Sequence, residues 1–165
     1  MTKSIPEEMK LELISKAYDN YGVSLFRLAM MYMGNKSDAE DAVHDVFVRY
    51  MMRMPQFKDE THEKAWFMRV CISVCKDKIK SFAVNSVPID DVLNYVSTDN
   101  DISMFEHLMG LSEEYRVVVH LKYVEGYSIS EISKILSVTE STVKLRLFRA
   151  REQLKRNMEE VKAYV

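Results

Sequence analysis

The sequence predicts an all-α protein built as two small helical domains joined by an acidic linker. Three observations carry that expectation. Only four Gly and three Pro stand among 165 residues, too few for a loop-rich β protein. Apolar residues recur at steps of three and four along most of the chain, the period of an amphipathic helix. Charge comes in blocks: residues 1–60 carry 8 basic and 10 acidic side chains, 61–82 carry 5 and 2, 83–115 carry 0 and 7, and 116–165 carry 10 and 6. Two basic blocks around an acidic one read as two modules and a tether, with boundaries at 1–83, 84–104 and 105–165.

The first module is read as three helices. Leu11, Ile14 and Tyr18, then Leu25, Leu28, Ala29 and Tyr32, keep helical spacing up to the break at Gly34-Asn35. Ser37-Asp38-Ala39-Glu40 has the form of a capping box and opens the next helix, with Ala39, Val43, Val46, Phe47 and Tyr50 inward and a stop before Pro55. A polar loop runs from Phe57 to His62. A third helix follows from about Glu63 to Phe82, with Phe67, Val70, Val74 and Ile79 facing in. The methionine clusters AMMYM and YMMRM are expected to fill these cores. Cys71 and Cys75, four apart on an apolar face, read as small buried hydrophobes.

Between Ala83 and Met104 the periodicity fades around Val87-Pro88-Ile89 and the acids Asp90, Asp91, Asp99 and Asp101, which suggests an extended, flexible linker, with one helical turn at Val92, Leu93 and Val96 as the alternative. Helices resume near Phe105. One opened by Ser112-Glu113-Glu114 carries Val118, Leu121 and Val124 and ends at Glu125-Gly126. Ser128-Ile-Ser-Glu131 is a second capping box for a short helix with Ile129, Ile132, Ile135 and Leu136 inward. Ser137-Val138 makes a tight turn, and Thr139 caps a longer helix. Short helix, tight turn and longer basic helix form the helix-turn-helix pattern.

That last helix holds the densest charge in the chain. Within TVKLRLFRAREQLKR, residues 142–156, Lys144, Arg146, Arg149, Arg151, Lys155 and Arg156 are opposed by Glu152 alone. Val143, Leu147, Ala150 and Leu154 share one narrow stripe that packs inward. Ser141, Leu145, Phe148, Arg149 and Lys155 lie opposite it, so two apolar groups point away from their own core. A DNA major groove accommodates such a face: it admits a helix, offers Arg the acceptor pair of guanine and offers apolar groups the thymine methyl. A second basic block, Lys64, Arg69, Lys76, Lys78 and Lys80 around Trp66 and Phe67, suits a surface that follows a nucleic-acid backbone. Trp66 by itself reads as core.

Other function classes find little support. Four scattered His and two Cys assemble no nucleophile–base set, and no Gly-rich phosphate loop occurs, so no enzyme activity, cofactor or metal is expected. The polar start MTKSIPEEMK is no signal peptide, and no apolar run approaches the roughly 20 residues of a membrane span. A cytoplasmic protein without membrane insertion is expected. A free-standing helix-turn-helix regulator with a dimerising or sensing N-terminal half remains an alternative, though such proteins usually need two-fold symmetry.

Three segments in order, LFRLAMMYMGNKSDAEDAVHDVFVRYM, AWFMRVCISVCKDKIKSF and LSEEYRVVVHLKYVEGYSISEISKILSVTESTVKLRLFRAREQL, resemble a bacterial RNA polymerase sigma factor of the extracytoplasmic-function class. The resemblance runs from about Tyr18 to Leu154. It implies a sigma region 2 bundle and a sigma region 4 helix-turn-helix, which bind core polymerase and direct initiation at promoters with −10 and −35 elements. Asp38, Glu40, Asp41, His44, Asp45 and Arg49 would meet the clamp helices of the largest polymerase subunit, with His44 where the family usually has Gln. Phe57, Lys58, Thr61 and His62 would form the loop that captures a flipped −10 base. Arg69, Ser73, Lys76, Asp77 and Lys80 would continue that surface along the helix. Here Ser73 replaces a frequent Asn, and Lys78 and Lys80 replace an Arg pair, losing the bidentate fork. Ser141, Thr142, Lys144, Leu145, Arg146, Phe148, Arg149 and Arg151 would meet the −35 element, Leu145 in place of a small polar residue. The partners implied are core polymerase, including the flap of its second subunit, promoter DNA and an anti-sigma factor, with the free chain a monomer.

Overall fold

The structure is a computed structural model that describes residues 4–81 and 99–163. Among them are seven α-helices and no strand: α1 Glu7–Met33, α2 Lys36–Arg53, α3 Glu60–Ser81, α4 Asp99–Met109, α5 Glu113–Val119, α6 Ile129–Leu136 and α7 Glu140–Ala163. A π-helical turn, His120–Val124, follows α5 directly. Most of the expected linker, Val87-Pro88-Ile89 and Asp90-Asp91 included, lies outside the described residues, as does Phe82. Asp99 and Asp101 belong instead to α4, which begins ahead of the expected start near Phe105.

Helices α1, α2 and α3 form the first bundle. The inner face of α1 holds Ala17, Tyr21, Leu25, Leu28, Ala29 and Tyr32. Leu11 and Tyr18, expected inside, are exposed. They lie where most of the start of α1 is exposed, and Tyr18 keeps one ring contact with Phe47 at 5.3 Å. Gly34, at φ 72°, ends α1 in the left-handed conformation that glycine tolerates best.

Two helix starts differ from expectation. The cap of α2 is Asn35, not Ser37: its Oδ1 accepts the Asp38 N–H at 2.9 Å, and its Nδ2 donates to the Asp38 carboxylate at 2.7 Å. Asn35 is already extended behind Gly34, so its side chain reaches the free N–H groups first. Helix α3 begins at Glu60 rather than Glu63, because the Asp59 carboxylate accepts the His62 N–H at 2.8 Å. The loop is therefore shorter than read, and Thr61 and His62 sit on the first turn of α3.

The inner faces of α2 and α3 meet around an aromatic group. Ala39, Val43, Val46, Phe47 and Tyr50 of α2 are all buried, as expected. On α3 the buried set is Phe67, Met68, Cys71, Ile72, Val74 and Cys75, with Val70 and Ile79 only partly covered. Trp66 is partly buried and packs on Tyr50, Phe57 and Phe67, with ring centroids 5.1–5.9 Å apart. The Cys71 thiol faces the Leu25 carbonyl at 3.6 Å. Of the methionine clusters, Met30, Met31 and Met33 fill the core, but Met51 and Met52 near the end of α2 are exposed.

Helices α4 to α7 form the second bundle. Leu108, Leu111, Val117, Val118, Leu121, Ile132, Ile135, Leu136, Val143, Leu147 and Ala150 are buried in it. The helix expected to run unbroken to Val124 changes hydrogen-bond register at His120, and this turns Val124 out to solvent. The bundles also touch, α1 against α5 and α3 against α6, and their buried residues form one continuous cluster.

Candidate functional site

The helix-turn-helix forms as its caps dictate. Ser128 Oγ accepts the Glu131 N–H at 3.2 Å, and the Glu131 carboxylate accepts the Ser128 N–H at 2.7 Å. Those bonds to Ser128 hold the Glu131 carboxyl below the usual range. Ser137 closes α6 at φ 55°, and Thr139 Oγ1 accepts the Thr142 N–H at 3.1 Å to open α7.

On α7 the inward stripe is Val143, Leu147 and Ala150, all buried, with Leu154 packed beside them. Opposite stand Leu145 and Phe148, 47% and 58% exposed, with Ser141, Lys144, Arg149 and Arg151 exposed around them. No pressure from the core explains large apolar groups on that face. Thr142 is only partly exposed and shares a hydroxyl contact with Thr139 at 2.8 Å. Arg146 departs from the pattern. It turns back to Glu114, Nη2 to Oε1 3.1 Å, on the flank nearest α5.

The second basic block does not stay together. Arg69, Ser73, Lys76 and Lys80 form one exposed stripe of α3. Lys64 lies about 140° away at 100° per residue and faces the second bundle, with Nζ 3.3 Å from Glu125. Lys78 turns to α2 and pairs with Asp45 at 2.9 Å. Asp77, on the edge of the stripe, pairs with Arg49 at 3.2 Å.

In the loop before α3, Phe57 is half-buried, its ring near-parallel to Tyr50 at 6.5 Å and edge-on to His62 at 5.5 Å. Lys58 is exposed, and its N–H donates to His62 Nδ1 at 3.3 Å. A groove beside this loop is lined by Leu13, Lys16, Tyr50, Phe57, Glu60 and Glu63. Burial and the Glu63 carboxylate push the nearby Tyr21 hydroxyl up to about 12.

Helix α2 presents a separate face. Asp38, Glu40, Asp41 and His44 are exposed on it, with Asp45 and Arg49 half-exposed on the edge that meets α3. Acids crowd the first half of this helix, where the N-terminal dipole favours them.

Residues 17–83 match the family model of sigma-70 region 2, and residues 106–154 match that of sigma-70 region 4. Together the two matches span more than two thirds of the chain. It is a sigma factor of the extracytoplasmic-function class. Sigma factors of this family direct promoter-specific initiation by binding RNA polymerase, and the two matches fall on the two helical bundles. The sigma factor is 24% identical over 163 residues to SigW of Bacillus subtilis, covering 87% of each chain. It is 29% identical over 137 residues to SigM of Mycobacterium tuberculosis, covering 80% of this chain and 70% of the other. Its fold is similar to that of RpoE from Bartonella quintana, solved with the anti-sigma factor NepR, at a TM-score of 0.70 and 19% identity over 88% and 96% of the two chains. It is likewise similar to CnrH, solved with the cytosolic domain of CnrY, at a TM-score of 0.68 and 20% identity over 91% and 90%. Among the described residues of this sigma factor, no helix is long and apolar enough to cross a membrane.

Sequence reasoning gave no joint role to Lys64, His120, Glu125 and Tyr127, which meet where the bundles touch. No spacing rule links residues so far apart in the chain. The partners of Asp45 and Arg49 were missed for the same reason.

Proposed function

We propose that the sigma factor divides its work among three exposed faces. The outer face of α2, with Asp38, Glu40, Asp41, His44, Asp45 and Arg49, binds core polymerase. The loop at Phe57 and Lys58, the first turn at Thr61 and His62, and the stripe Arg69, Ser73, Lys76 and Lys80 bind the −10 element, with Asp77 holding Arg49 at its edge. Helix α7 enters the major groove at the −35 element through Ser141, Thr142, Lys144, Leu145, Phe148, Arg149 and Arg151. Arg146 reaches phosphate only after leaving Glu114.

The observation that carries this reading is the outward pair Leu145 and Phe148 among basic residues on a helix that is capped and packed behind an α6 turn. A merely solvated face has no use for them, whereas a groove floor with thymine methyls does. The Phe57 loop suits base capture, because a flipped base needs stacking to return its unstacking cost of a few kcal/mol. The chain carries out no chemical step of its own and acts in the cytoplasm, where polymerase and promoters are. The likeness to RpoE, solved with the anti-sigma factor NepR, supports such a partner here as well.

The test is transcription by core polymerase on fragmented genomic DNA from the source, with 5′ ends sequenced. Transcripts that start only when both proteins are present, behind one shared two-part motif, are expected. Tight binding of the protein alone to a palindrome, with no transcripts, would overturn the reading.

A further inference from the structure

Where the two bundles meet, a partly exposed lysine reaches a group of polar side chains that is largely shielded from water. The Glu125 side chain is only 4% exposed; its Oε2 lies 3.3 Å from Lys64 Nζ of α3, and its Oε1 lies 3.5 Å from His120 Nε2. Lys64 Nζ also stands over the Tyr127 ring, 5.3 Å from its centroid. His120 and Tyr127 are buried. Neither His120 Nε2 nor the Tyr127 hydroxyl has a hydrogen-bond partner among the described residues. So a single lysine from the first bundle enters a pocket whose acid, imidazole and ring all come from the second.

The backbone is built to make that pocket. In an α-helix His120 and Glu125 would point about 140° apart at 100° per residue. The π-helical turn closes instead over five residues, with the Glu125 N–H donating to the His120 carbonyl at 3.1 Å, and brings the two side chains onto one side. Gly126 then takes φ 76°, and the Tyr127 N–H donates back to the Leu121 carbonyl at 3.0 Å, returning the ring beneath Lys64. Such turns are rare and concentrate at functional positions. An ordinary stable seam would do better with apolar residues, since a buried ion pair adds little net stability and mainly makes one arrangement specific.

The docked arrangement also conflicts with promoter reading. Elements centred about 25 base pairs apart are separated by roughly 85 Å along B-DNA at about 3.4 Å per step. Two modules of these lengths, each with a radius of gyration of about 11 Å, reach less than that while in contact. Resting on the sigma-factor reading above, we propose that Lys64, His120, Glu125 and Tyr127 form a latch that holds the second bundle against the first in the free chain, and that it must open before both DNA elements can be engaged. Only the opened fraction then binds polymerase productively, so the latch weakens apparent affinity by that fraction.

The experiment compares the full chain with Glu125→Gln, Lys64→Glu and the exchange pair Lys64→Glu/Glu125→Lys. Small-angle scattering reads opening, circular dichroism verifies that the helices persist, and titration with core polymerase reads the functional effect. The native chain should scatter with a radius of gyration near about 15 Å, the value for a compact chain of this length. Each single variant should raise it by about a third or more while keeping its helicity, and the exchange pair should bring it back. Glu125→Gln, which alters no residue on the polymerase or DNA faces, should tighten apparent polymerase affinity by about tenfold. Lys64 is 34% exposed, so Lys64→Glu folds and reports even where a change at buried Glu125 does not. Unchanged scattering from folded Lys64→Glu overturns the latch, whatever transcription shows. Native protein that starts no transcripts with core polymerase overturns the sigma-factor reading, and scattering still decides the latch by itself.

Discussion

Arg49 of α2 reaches Asp77 of α3, Nη2 to Oδ2 3.2 Å, and one turn earlier Asp45 receives Lys78 at 2.9 Å. These two pairs join the face proposed for polymerase to the helix proposed for the −10 element. Both are partly open to solvent, so each contributes about 0–1 kcal/mol to stability. On that proposal, their value would lie in fixing where Arg49 and Asp45 stand for polymerase.

Arg49→Ala is therefore expected to lower unfolding stability by less than about 1 kcal/mol in urea titration. The same change should weaken core polymerase binding by about 1–2 kcal/mol, a factor of roughly 5 to 30. A loss of affinity no larger than the loss of stability would remove Arg49 from the interface.

Arg149→Ala and Arg151→Ala should fail in different ways. If Arg149 forks onto a guanine, its removal costs about 1–3 kcal/mol at a −35 duplex and relaxes preference at one position. If Arg151 meets a phosphate, its removal should weaken all duplexes alike and reduce the slope of log affinity against log salt by about 1. Fluorescence anisotropy over a salt series separates the two. Uniform weakening by Arg149→Ala would place that side chain on phosphate.

Positioning of α7, the helix proposed to read the −35 element, depends on α6 and its capping box. Ser128→Ala deletes one bond of the box and should cost about 1 kcal/mol. Leu147→Ala, at a buried position behind the reading face, should cost about 2–5 kcal/mol. Thermal melts that ranked them in the opposite order would mean the α6–α7 packing is looser than its burial implies.

What could be read from the chain beforehand was whatever depends on neighbours in sequence. The capping box at Ser128, the stripe Val143, Leu147 and Ala150 and the outward Phe148 follow from helical spacing, and the structure has them there. Asn35 displaced Ser37 as a cap because two cap signals lay two residues apart, and the preceding Gly34 decided between them. Tyr18 and Leu11 fit the same periodicity as buried residues, and only the placement of the other helices decides which positions are covered. Lys64 and Lys78 read as part of one basic block, yet each turns to an acid on another element. The π-helical turn left no mark in the spacing of Val118, Leu121 and Val124, which suit an unbroken α-helix equally well.

Acid should act on the seam between bundles through Glu125. Burial alone would push its carboxyl up, but His120 and Lys64 outweigh that and hold it below the usual range. A carboxyl with a depressed value in the folded chain contributes stability above its unfolded value, about 4.3, and loses it as pH falls through the lower folded value. The groups facing it are His120, Lys64 and the Tyr127 ring, the last also influenced by Glu131. Glu113, near Lys76, works in the other direction: burial raises its carboxyl, so its protonation favours the folded form as pH drops. Scattering measured from pH 7 down to about pH 3, native chain against Glu125→Gln, isolates the Glu125 contribution because Glu113 is common to both. The native chain should stay closed through the neutral range and open only below about pH 4, while Glu125→Gln is open throughout. A native chain that opened between pH 7 and pH 5 would mean a group other than this carboxylate controls the contact.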